Sequence, residues 1–391
     1  MDTSVSKPLR ILSVLNLDWN PHLGAARVYL ELGEHWKAAG HTVEHFSFNE
    51  AFSHRHRSPR EHALQRLRFP RRAGRFIRTN RERFDVVDSL LGSLSASKRE
   101  LGFDGLLVAR SVGSQWLYDE FDRDAARRWP GKRPGTLVGR LFYGAVKRYV
   151  MSVCKAGIRH ADLINVPNSD EAKDLRERCE DVAPIIVQPY GLTSDHPGLG
   201  FGDVERRLNQ QKICFVGMWG PRKGSRVWGE IMRRVRGRIG SAKFCFLGTM
   251  VPHEKVLHDV GEEFAGAIES VSEYSPPELP RLLEDCTVGG FPSYVEGFGL
   301  ALVEQLAAGV PTVAFDQGGP RDILRGAPDL LVPTGDVETF AAALVRVLQL
   351  SRTEYERLQH RSVEIAARYS WKAIAEESIK QYRCRICTNG R

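Results

Sequence analysis

The sequence predicts an α/β fold in which two parallel-sheet domains face each other across a cleft. Three observations support this prediction. The chain has 391 residues, which is too long for one ordinary core and typical of about two domains. Strand-like apolar runs alternate with longer amphipathic runs from end to end, as expected for βαβ units. A segment rich in Gly and Pro at 187–203 divides the two halves.

The first half of the chain favours several strands and one well-marked helix. Residues 25–39 place Val28, Leu32 and Trp36 on one helical face. Gly40 suits the end of this helix, because glycine tolerates the left-handed conformation found there. Strands are predicted at 10–17, 41–48, 104–111 and 162–167.

The same pattern restarts in the second half. Strands are predicted at 212–219, 243–250, 265–270, 287–293, 311–316 and 329–333, and helices at 225–236, 299–308 and 371–382. We therefore expect two Rossmann-like domains, at 1–190 and 191–370, with the C-terminal helix at 371–391 crossing back onto the first. Ligand sites are expected at the C-terminal ends of the strands.

The composition indicates a globular, cytoplasmic protein. Hydrophobic residues make up 42% of the chain and charged residues 27%, as in ordinary folded domains. We find no signal peptide, and no apolar run approaches the roughly 18 residues of a membrane span. The seven cysteines are expected to be reduced, and the pair Cys384 and Cys387 lacks the further ligands of a zinc site.

The net charge of +8 is concentrated in two basic stretches. Residues 55–83 are rich in arginine, and residues 140–160 are basic and aromatic. Apolar side chains are interleaved in the first stretch: Leu67, Phe69, Phe76 and Ile77. Such a mixture suits an anionic membrane surface or a phosphorylated acceptor, and it equally suits a solvated basic helical face. Nucleic acid is not expected as a partner, because no recognition motif accompanies the charge.

Several common ligand and metal motifs are missing or misplaced. Between Leu17 and Arg27 the only glycine is Gly24, so the dinucleotide fingerprint is not present, and there is no Walker A sequence. Asp122 and Asp124 have the spacing of a D-x-D metal motif. They lie in a charged, helix-like run, so we interpret both as solvated.

Two glutamates flank a glycine-containing turn after the predicted strand at 287–293. Glu296 is followed by Gly297, Phe298 and Gly299, and Glu304 lies eight positions after Glu296. Eight helical positions span about 12 Å, so the two carboxylates cannot act on one atom as a paired acid and base. We expect them to bind two parts of one extended ligand, with a phosphate at the N-terminus of the helix between them.

A structural alternative exists for each acid taken alone. Glu296 would then stabilise the positive end of the helix, and Glu304 would be a solvated surface residue. The glycines and the strand-turn-helix setting favour the ligand interpretation for the two together. A nucleotide sugar fits the spacing, with its diphosphate on the helix end.

These residues carry a family resemblance. The run from Glu296 to Leu300 with Glu304, followed by Gly309-Val310-Pro311 and Gly318-Gly319, resembles the E-x7-E signature of glycosyltransferase family 4. The resemblance implies a GT-B fold, a nucleotide-sugar donor in the second domain, an acceptor in the first, and transfer with retention and no obligatory metal. It places Glu296 by the donor sugar, Glu304 on the ribose hydroxyls, and the backbone of Phe298, Gly299 and Leu300 at the distal phosphate.

The family also has a basic pair after the first strand of the second domain. Arg222 and Lys223 occupy this place, where two cations can neutralise the leaving diphosphate. Many members have an arginine directly after the first glycine of this segment, here Gly217, but this chain has Met218. We therefore assign the arginine role to Arg222.

The resemblance is weaker in the first domain. Gly24 permits a close approach to the phosphate, and His22 is a candidate acceptor-side residue. Many members have a histidine where this chain has Val112. The remaining acceptor-side candidates surround this position: Arg110, Ser111 and Gln115.

The sequence thus predicts a retaining hexosyltransferase that uses a UDP- or GDP-sugar without an obligatory cofactor. Its acceptor is expected to be a carbohydrate or lipid-linked precursor of a polysaccharide or glycoconjugate, with the enzyme cytoplasmic or peripheral at the inner face of the membrane. Two alternatives remain: a nucleotide-sugar epimerase or hydrolase on the same fold, and a catalytically silent GT-B-like partner subunit. Val112 and Met218 motivate the second alternative.

Overall fold

The protein is divided into two compact units. The computed structural model describes residues 7–21, 23–53, 58–130, 136–192 and 202–389. The first unit comprises the described residues of 1–116, 129–189 and 371–391, and the second those of 117–128 and 190–370. Most of the predicted linker at 187–203 lies outside the described residues.

The first unit is built on a parallel sheet. Its strands are β1 (Arg10–Val14), β2 (Thr42–Phe46), β3 (Val86–Leu90), β4 (Leu106–Arg110), β5 (Leu163–Val166) and β6 (Ile185–Val187). They lie in the order β2-β1-β3-β4-β5-β6. Every residue of the central strands β3 and β4 is buried, as expected for a parallel sheet covered on both faces.

Seven α-helices lie between β1 and β6 in the described part of the chain. They are α1 (Gly24–Ala38), α2 (Phe48–Ala51), α3 (Pro59–Asn80), α4 (Lys98–Leu101), α5 (Gln115–Arg128), α6 (Leu137–His160) and α7 (Ser169–Arg178). Local sequence explains where several begin. The side chains of Ser58, Thr136 and Asn168 accept backbone N–H bonds at the starts of α3, α6 and α7.

The second unit contains another parallel sheet. Its strands are β7 (Lys212–Val216), β8 (Lys243–Leu247), β9 (Ile268–Val271), β10 (Val288–Phe291), β11 (Thr312–Phe315) and β12 (Leu331–Val332). Their order is β12-β11-β10-β7-β8-β9. The chain therefore moves outwards from β7 to β9 and then returns to place β10 on the other side of β7. The loops that follow β7 and β10 emerge beside each other at this reversal.

The helices of the second unit cover both faces of its sheet. They are α8 (Val204–Gln210), α9 (Trp228–Arg236), α10 (His253–Val260), α11 (Leu279–Leu282), α12 (Leu300–Ala307), α13 (Gly318–Ile323), α14 (Val337–Leu348) and α15 (Arg352–Ala366). Trp228 on α9 is fully buried against the edges of Phe246 at 5.2 Å and Phe215 at 5.9 Å between ring centroids. These aromatic contacts attach α9 to the sheet directly after the β7 loop.

Part of α5 belongs to the second unit. Phe121 packs on Tyr294 with ring centroids 5.8 Å apart, and the guanidinium of Arg128 lies 5.4 Å from the same ring. Residues 117–128 are therefore grouped with the second sheet. The sequence pattern did not indicate this division of the helix.

The last helix, α16 (Trp371–Asn389), packs within the first unit. The indole N–H of Trp36 on α1 donates to the carbonyl of Ala375 at 3.1 Å. The side-chain amide of Gln188 donates to the carbonyl of Ile374 at 3.1 Å. These bonds join α16 to the neighbouring helix and to the chain that follows β6.

A buried ion pair lies at the centre of the first unit. The guanidinium of Arg110 on β4 contacts the carboxylate of Asp88 on β3 at 2.8 Å, and both side chains are fully buried. The hydroxyls of Tyr29 and Tyr382 donate to the same carboxylate at 3.2 and 2.5 Å. Burial and the charge of Asp88 raise the pKa of both tyrosines well above the usual value, so both remain neutral donors.

The predicted alternation of strands and helices agrees with the structure, apart from two strands. Strands β3 and β6 were not predicted. Asp88 interrupts the apolar run of β3, and its burial depends on Arg110, which lies 22 residues later. In the described part of the chain, no helix is long and apolar enough to cross a membrane.

We predict that Asp88→Ala strongly destabilises the first unit, because it leaves the Arg110 charge buried without its partner. The expected loss is about 3–5 kcal/mol in the free energy of unfolding, measured by urea denaturation of the full chain. Glu44→Ala is the control, since it breaks the exposed ion pair with Arg83 and should cost about 1 kcal/mol or less. Equal effects of the two substitutions would contradict the role given to the buried pair.

Candidate functional site

The loops after β7 and β10 are packed together at the reversal of the second sheet. The backbone N–H of Tyr294 donates to the carbonyl of Arg222 at 2.8 Å. Gly224 has a φ of +88°, and a Cβ on this residue would lie 2.5 Å from the carbonyl oxygen of Pro292. Glycine is therefore required at 224 both by the backbone conformation and by the close approach of the second loop.

An ion pair between Lys223 and Glu296 forms where these loops meet. The ammonium of Lys223 donates to the carboxylate of Glu296, and the side chains are 19% and 14% exposed. The ammonium also lies 5.3 Å from the centroid of the Phe291 ring. The structure thus brings together two of the predicted catalytic residues, which are 73 positions apart in the sequence.

The turn after Glu296 leads into α12 without a side-chain cap. Gly299 occupies the N-cap position with a φ of +106°, which favours glycine. Its carbonyl accepts from the N–H groups of Leu302 and Val303 at 2.9 and 3.2 Å. Leu300, half-buried, is the first helical residue. This helix end presents a partial positive charge that suits an anionic ligand.

Buried packing contacts hold the turn in place. The ring of Phe298 is buried between Tyr190 and Tyr369, at centroid distances of 5.4 and 5.2 Å. A Cβ on Gly319 would overlap the carbonyl oxygen of Phe298. Gly319 at the start of α13 therefore packs directly against the turn. This close contact leaves no room for a side chain and requires glycine.

Glu304 lies on α12 and is only 8% exposed. A solvated surface glutamate would be far more exposed, so the structural alternative considered for this residue does not describe it. The buried carboxylate and the Lys223–Glu296 pair belong to the same unit. Gly297 is also buried within the turn.

The two neighbouring cations of the β7 loop have different surroundings. The guanidinium of Arg222 lies 4.3 Å from the centroid of the Tyr118 ring on α5, whereas Lys223 contacts Glu296. Gly217, directly after β7, has a φ of +146°. Met218 beside it is 59% exposed.

The described acceptor-side candidates lie at the end of β4 and in the chain that follows it. Arg110 is fully buried in the ion pair with Asp88, so its guanidinium is not accessible to an acceptor, and this expectation is corrected. Gln115 is half-buried at the start of α5, and Gly24, which was predicted to approach the donor phosphate, is exposed at the start of α1. His22 lies outside the described residues.

Ser111 contacts Glu171, a buried glutamate that the sequence pattern did not indicate as a site residue. Its hydroxyl donates to Glu171 at 2.6 Å, and the N–H of Ser114 donates to the other carboxylate oxygen at 3.0 Å. Glu171 is 1% exposed, and burial raises the pKa of its carboxyl to about 7. The only local sequence signal was Asn168 three residues earlier, which indicates a helix start rather than a tether for the β4 loop.

The basic stretches form α3 and α6, but their apolar side chains are not arranged as expected. Phe69 and Ile77 are fully buried in the core of the first unit, so they cannot enter a membrane interface. The large exposed apolar side chains on these helices are others: Leu64, Val138, Leu141 and Tyr143.

Metal ligands are not grouped in the described residues. Asp122 and Asp124 are both exposed on α5, and no three His, Cys, Asp or Glu side chains of the described chain are arranged to hold an ion. Cys384 and Cys387 are free and exposed.

Comparison with known proteins shows similarity to glycosyltransferases. Residues 210–350 match the family model described as Glycosyl transferases group 1. Over 327 residues the chain is 28% identical to MMP alpha-(1->4)-mannosyltransferase of Mycolicibacterium hassiacum, with 80% of this chain and 74% of the relative covered. It is 26% identical to D-inositol 3-phosphate glycosyltransferase of Mycobacteroides abscessus, with 58% of this chain and about half of that relative (52%) covered.

Solved structures share the whole fold. Sucrose-phosphate synthase from Thermosynechococcus elongatus aligns with a TM-score of 0.76 at 17% identity, covering 97% of this chain and all of the other (100%). Anabaena HepE in complex with UDP and glucose aligns with a TM-score of 0.64 at 12% identity, covering 96% and 100%. The two parallel sheets are the GT-B fold, as predicted. Together the matches support a GT-B glycosyltransferase, which transfers a sugar from a donor to an acceptor.

We predict that Glu171 makes stability depend on pH. Because its pKa is raised from 4.5 to about 7, the folded protein keeps a proton that the unfolded chain has lost between these values. Stability should therefore fall as pH rises through this window. Glu171→Gln should flatten the dependence of the thermal unfolding midpoint between about pH 5 and pH 8. An unchanged slope in the variant would contradict the assignment.

Proposed function

We propose that this chain is a retaining glycosyltransferase of the family 4 type. It transfers a hexose from a UDP- or GDP-sugar to a hydroxyl of a carbohydrate or lipid-linked acceptor. The second unit binds the donor, and the first unit supplies the acceptor side. The observation that carries the proposal is the Lys223–Glu296 pair, located beside the uncapped start of α12.

In the proposed complex, these residues contact the donor along its whole length, from the diphosphate to the nucleoside. The diphosphate is bound by the N-terminus of α12, where the backbone of Phe298, Gly299 and Leu300 can approach it. When the donor binds, the ammonium of Lys223 leaves Glu296 and contacts the diphosphate, which carries more negative charge. Glu296 then accepts hydrogen bonds from the donor sugar, and the buried Glu304 accepts them from the ribose.

Transfer with retention requires the acceptor hydroxyl to attack the anomeric carbon on the face from which the diphosphate leaves. As the bond from the anomeric carbon to the phosphate oxygen breaks, negative charge grows on the diphosphate, and Lys223 stabilises it. Arg222 acts from the same loop. The acceptor hydroxyl approaches on the same face, its oxygen bonds to the anomeric carbon, and its proton passes to the departing phosphate oxygen.

The comparisons support this choice of donor and reaction. The HepE structure contains UDP and glucose, and the relatives named above are glycosyltransferases. On the acceptor side, we propose the loop after β4, which is held by Glu171 and carries Ser111 and Gln115. His22 is kept as a proposed acceptor-side residue and Arg110 is left out, while Gly24 is proposed to approach the donor phosphate.

We predict that Lys223→Ala lowers kcat/KM for transfer by about 100-fold or more, because one stabilising charge is removed from the transition state. Glu304→Ala should mainly raise KM for the donor, since its contact with the ribose does not change during the reaction.

Donors are first selected by thermal shift with UDP- and GDP-sugars, because a bound donor stabilises the folded chain. Transfer is then measured with a panel of hydroxylated acceptors, and the anomeric configuration of the product is read by NMR.

The matched control is Arg226→Ala, an exposed cation three positions after Lys223. Its transfer rate should stay within about twofold of the wild type. Wild-type rates in Lys223→Ala and Glu304→Ala would overturn the site, and an inverted product would overturn retention. Fast sugar isomerisation or nucleotide release without acceptor would instead favour the epimerase or hydrolase. Tight nucleotide binding with no turnover would favour the silent subunit.

We further propose that α3 and α6 attach the enzyme to an anionic membrane surface, as a peripheral protein at the cytoplasmic face. The two helices pack through Ala63, Val146 and Val150, and both carry arginines. Exposed Val138 and Leu141, which are 75% and 65% exposed, supply the apolar contact with the bilayer.

We predict that the full chain floats with vesicles containing phosphatidylglycerol and does not float with phosphatidylcholine alone, because the attraction is electrostatic. Val138→Ser with Leu141→Ser should reduce flotation several-fold, since apolar area is lost from the interface. Val187→Ser removes an exposed apolar side chain elsewhere and should have no effect. Flotation that is independent of lipid charge would contradict the proposal.

A further inference from the structure

We propose that the first unit contains a binding pocket for a phosphorylated group, separate from the donor residues. A cavity of about 810 Å³ lies between α2, α3 and α6. Its lining includes Arg68, Arg71, Arg72 and Arg75 of α3. This inference does not depend on the reaction proposed above.

The helical repeat places the four arginines on one face of α3. Their spacings of three and four positions correspond to neighbouring turns, and all four side chains are exposed. The opposite face of the helix carries Phe69, Ala73 and Ile77, which are fully buried in the core. The core therefore sets the rotation of α3 and directs all four cations to the same side.

Three of these guanidinium groups have no protein partner in the residues that the structure describes. Arg72 donates to the carbonyl of Ala51 and lies 4.8 Å from the centroid of the Phe52 ring. For Arg68, Arg71 and Arg75, no hydrogen bond or ion pair with another described residue is found. Like charges at these spacings repel one another, so a bound anion would remove a cost of folding.

The lining contains one carboxylate, that of Glu50. One of its oxygens already accepts from the backbone N–H and hydroxyl of Ser47, both at 2.7 Å. The other lies 3.3 Å from Nε2 of His45. Glu50 thus caps α2 and leaves the cavity with a clear excess of positive charge.

The remaining lining suits a phosphate more than a simple surface contact. The rings of Phe46 and Phe76 are stacked at 4.5 Å with an interplanar angle of 21°, which provides a rigid apolar wall. Thr79 and Tyr149 add hydroxyl groups to the lining. Guanidinium forks bind phosphate oxygens in pairs, and several oxygens on one group can satisfy several arginines.

Binding in a pocket and adsorption to a charged surface are expected to give different experimental results. Adsorption to a membrane needs only net charge, whereas a pocket binds a soluble phosphorylated group saturably and with one-to-one stoichiometry. The phosphate recognised in the cavity can be free or part of a lipid headgroup. The experiment therefore uses inorganic pyrophosphate in one arm and phosphatidylglycerol vesicles in the other.

The test is calorimetric titration of the full chain with pyrophosphate in a Lys223→Ala background, which removes the proposed diphosphate contact of the donor site. We expect saturable binding, weakened at least tenfold by Arg71→Ala with Arg75→Ala. The matched control is Arg60→Ala with Arg78→Ala, which removes two exposed charges from α3 outside the cavity lining. Its affinity should stay within twofold. Arg71→Lys with Arg75→Lys preserves charge and helix propensity, and it should show an intermediate loss.

The outcomes separate the interpretations. Equal affinity in the pocket and control variants overturns the proposal, as does the absence of pyrophosphate binding even if the chain binds vesicles. Saturable pyrophosphate binding that only the pocket variant loses supports it. If vesicle binding is lost in the same variant, the phosphate recognised is that of a headgroup, and if vesicle binding is kept, the ligand is a soluble phosphate.

Discussion

The order of strands in the second sheet is the constraint on which the proposed donor site depends. Because β10 returns to lie beside β7, two loops that are distant in sequence emerge together at the C-terminal edge. Gly224 lets them touch, and the bond from Tyr294 to Arg222 fixes their register. The Lys223–Glu296 pair and the start of α12 follow from this arrangement. Backbone topology therefore sets the position of the proposed donor site, and the side chains complete it.

In the first unit the corresponding constraint is a buried pair of charges. The unit buries an ion pair, Asp88 with Arg110, in the middle of a parallel sheet, and it satisfies the remaining polar atoms with Tyr29 and Tyr382. A buried pair of this kind contributes little net stability compared with apolar packing, but breaking it is costly. Its requirement for Tyr382 ties the sheet to a helix that comes from the far end of the chain.

The sequence was sufficient for the fold and for the residues of the β10 turn, because both are encoded locally. Strand periodicity and the glycines around Phe298 are visible in short windows of sequence. Long-range effects were not visible. The strand β3 was missed because Asp88 appears polar until Arg110 is placed beside it, and Arg110 was assigned to an acceptor for the same reason. Glu171 carried no local signal of its contact with the β4 loop, and the burial of Phe69 and Ile77 becomes visible only when α3 is oriented on the core.

The position of α16 has a consequence for how the chain is made. Translation proceeds from the N-terminus, and domains usually fold as they emerge. Here Trp36, Asp88 and Gln188 each receive one hydrogen-bond partner from a helix that is synthesised only after the entire second unit. The second unit can therefore be complete while the first still has buried polar groups without partners. During synthesis, the N-terminal half of this protein is therefore completed only after the second unit has been made.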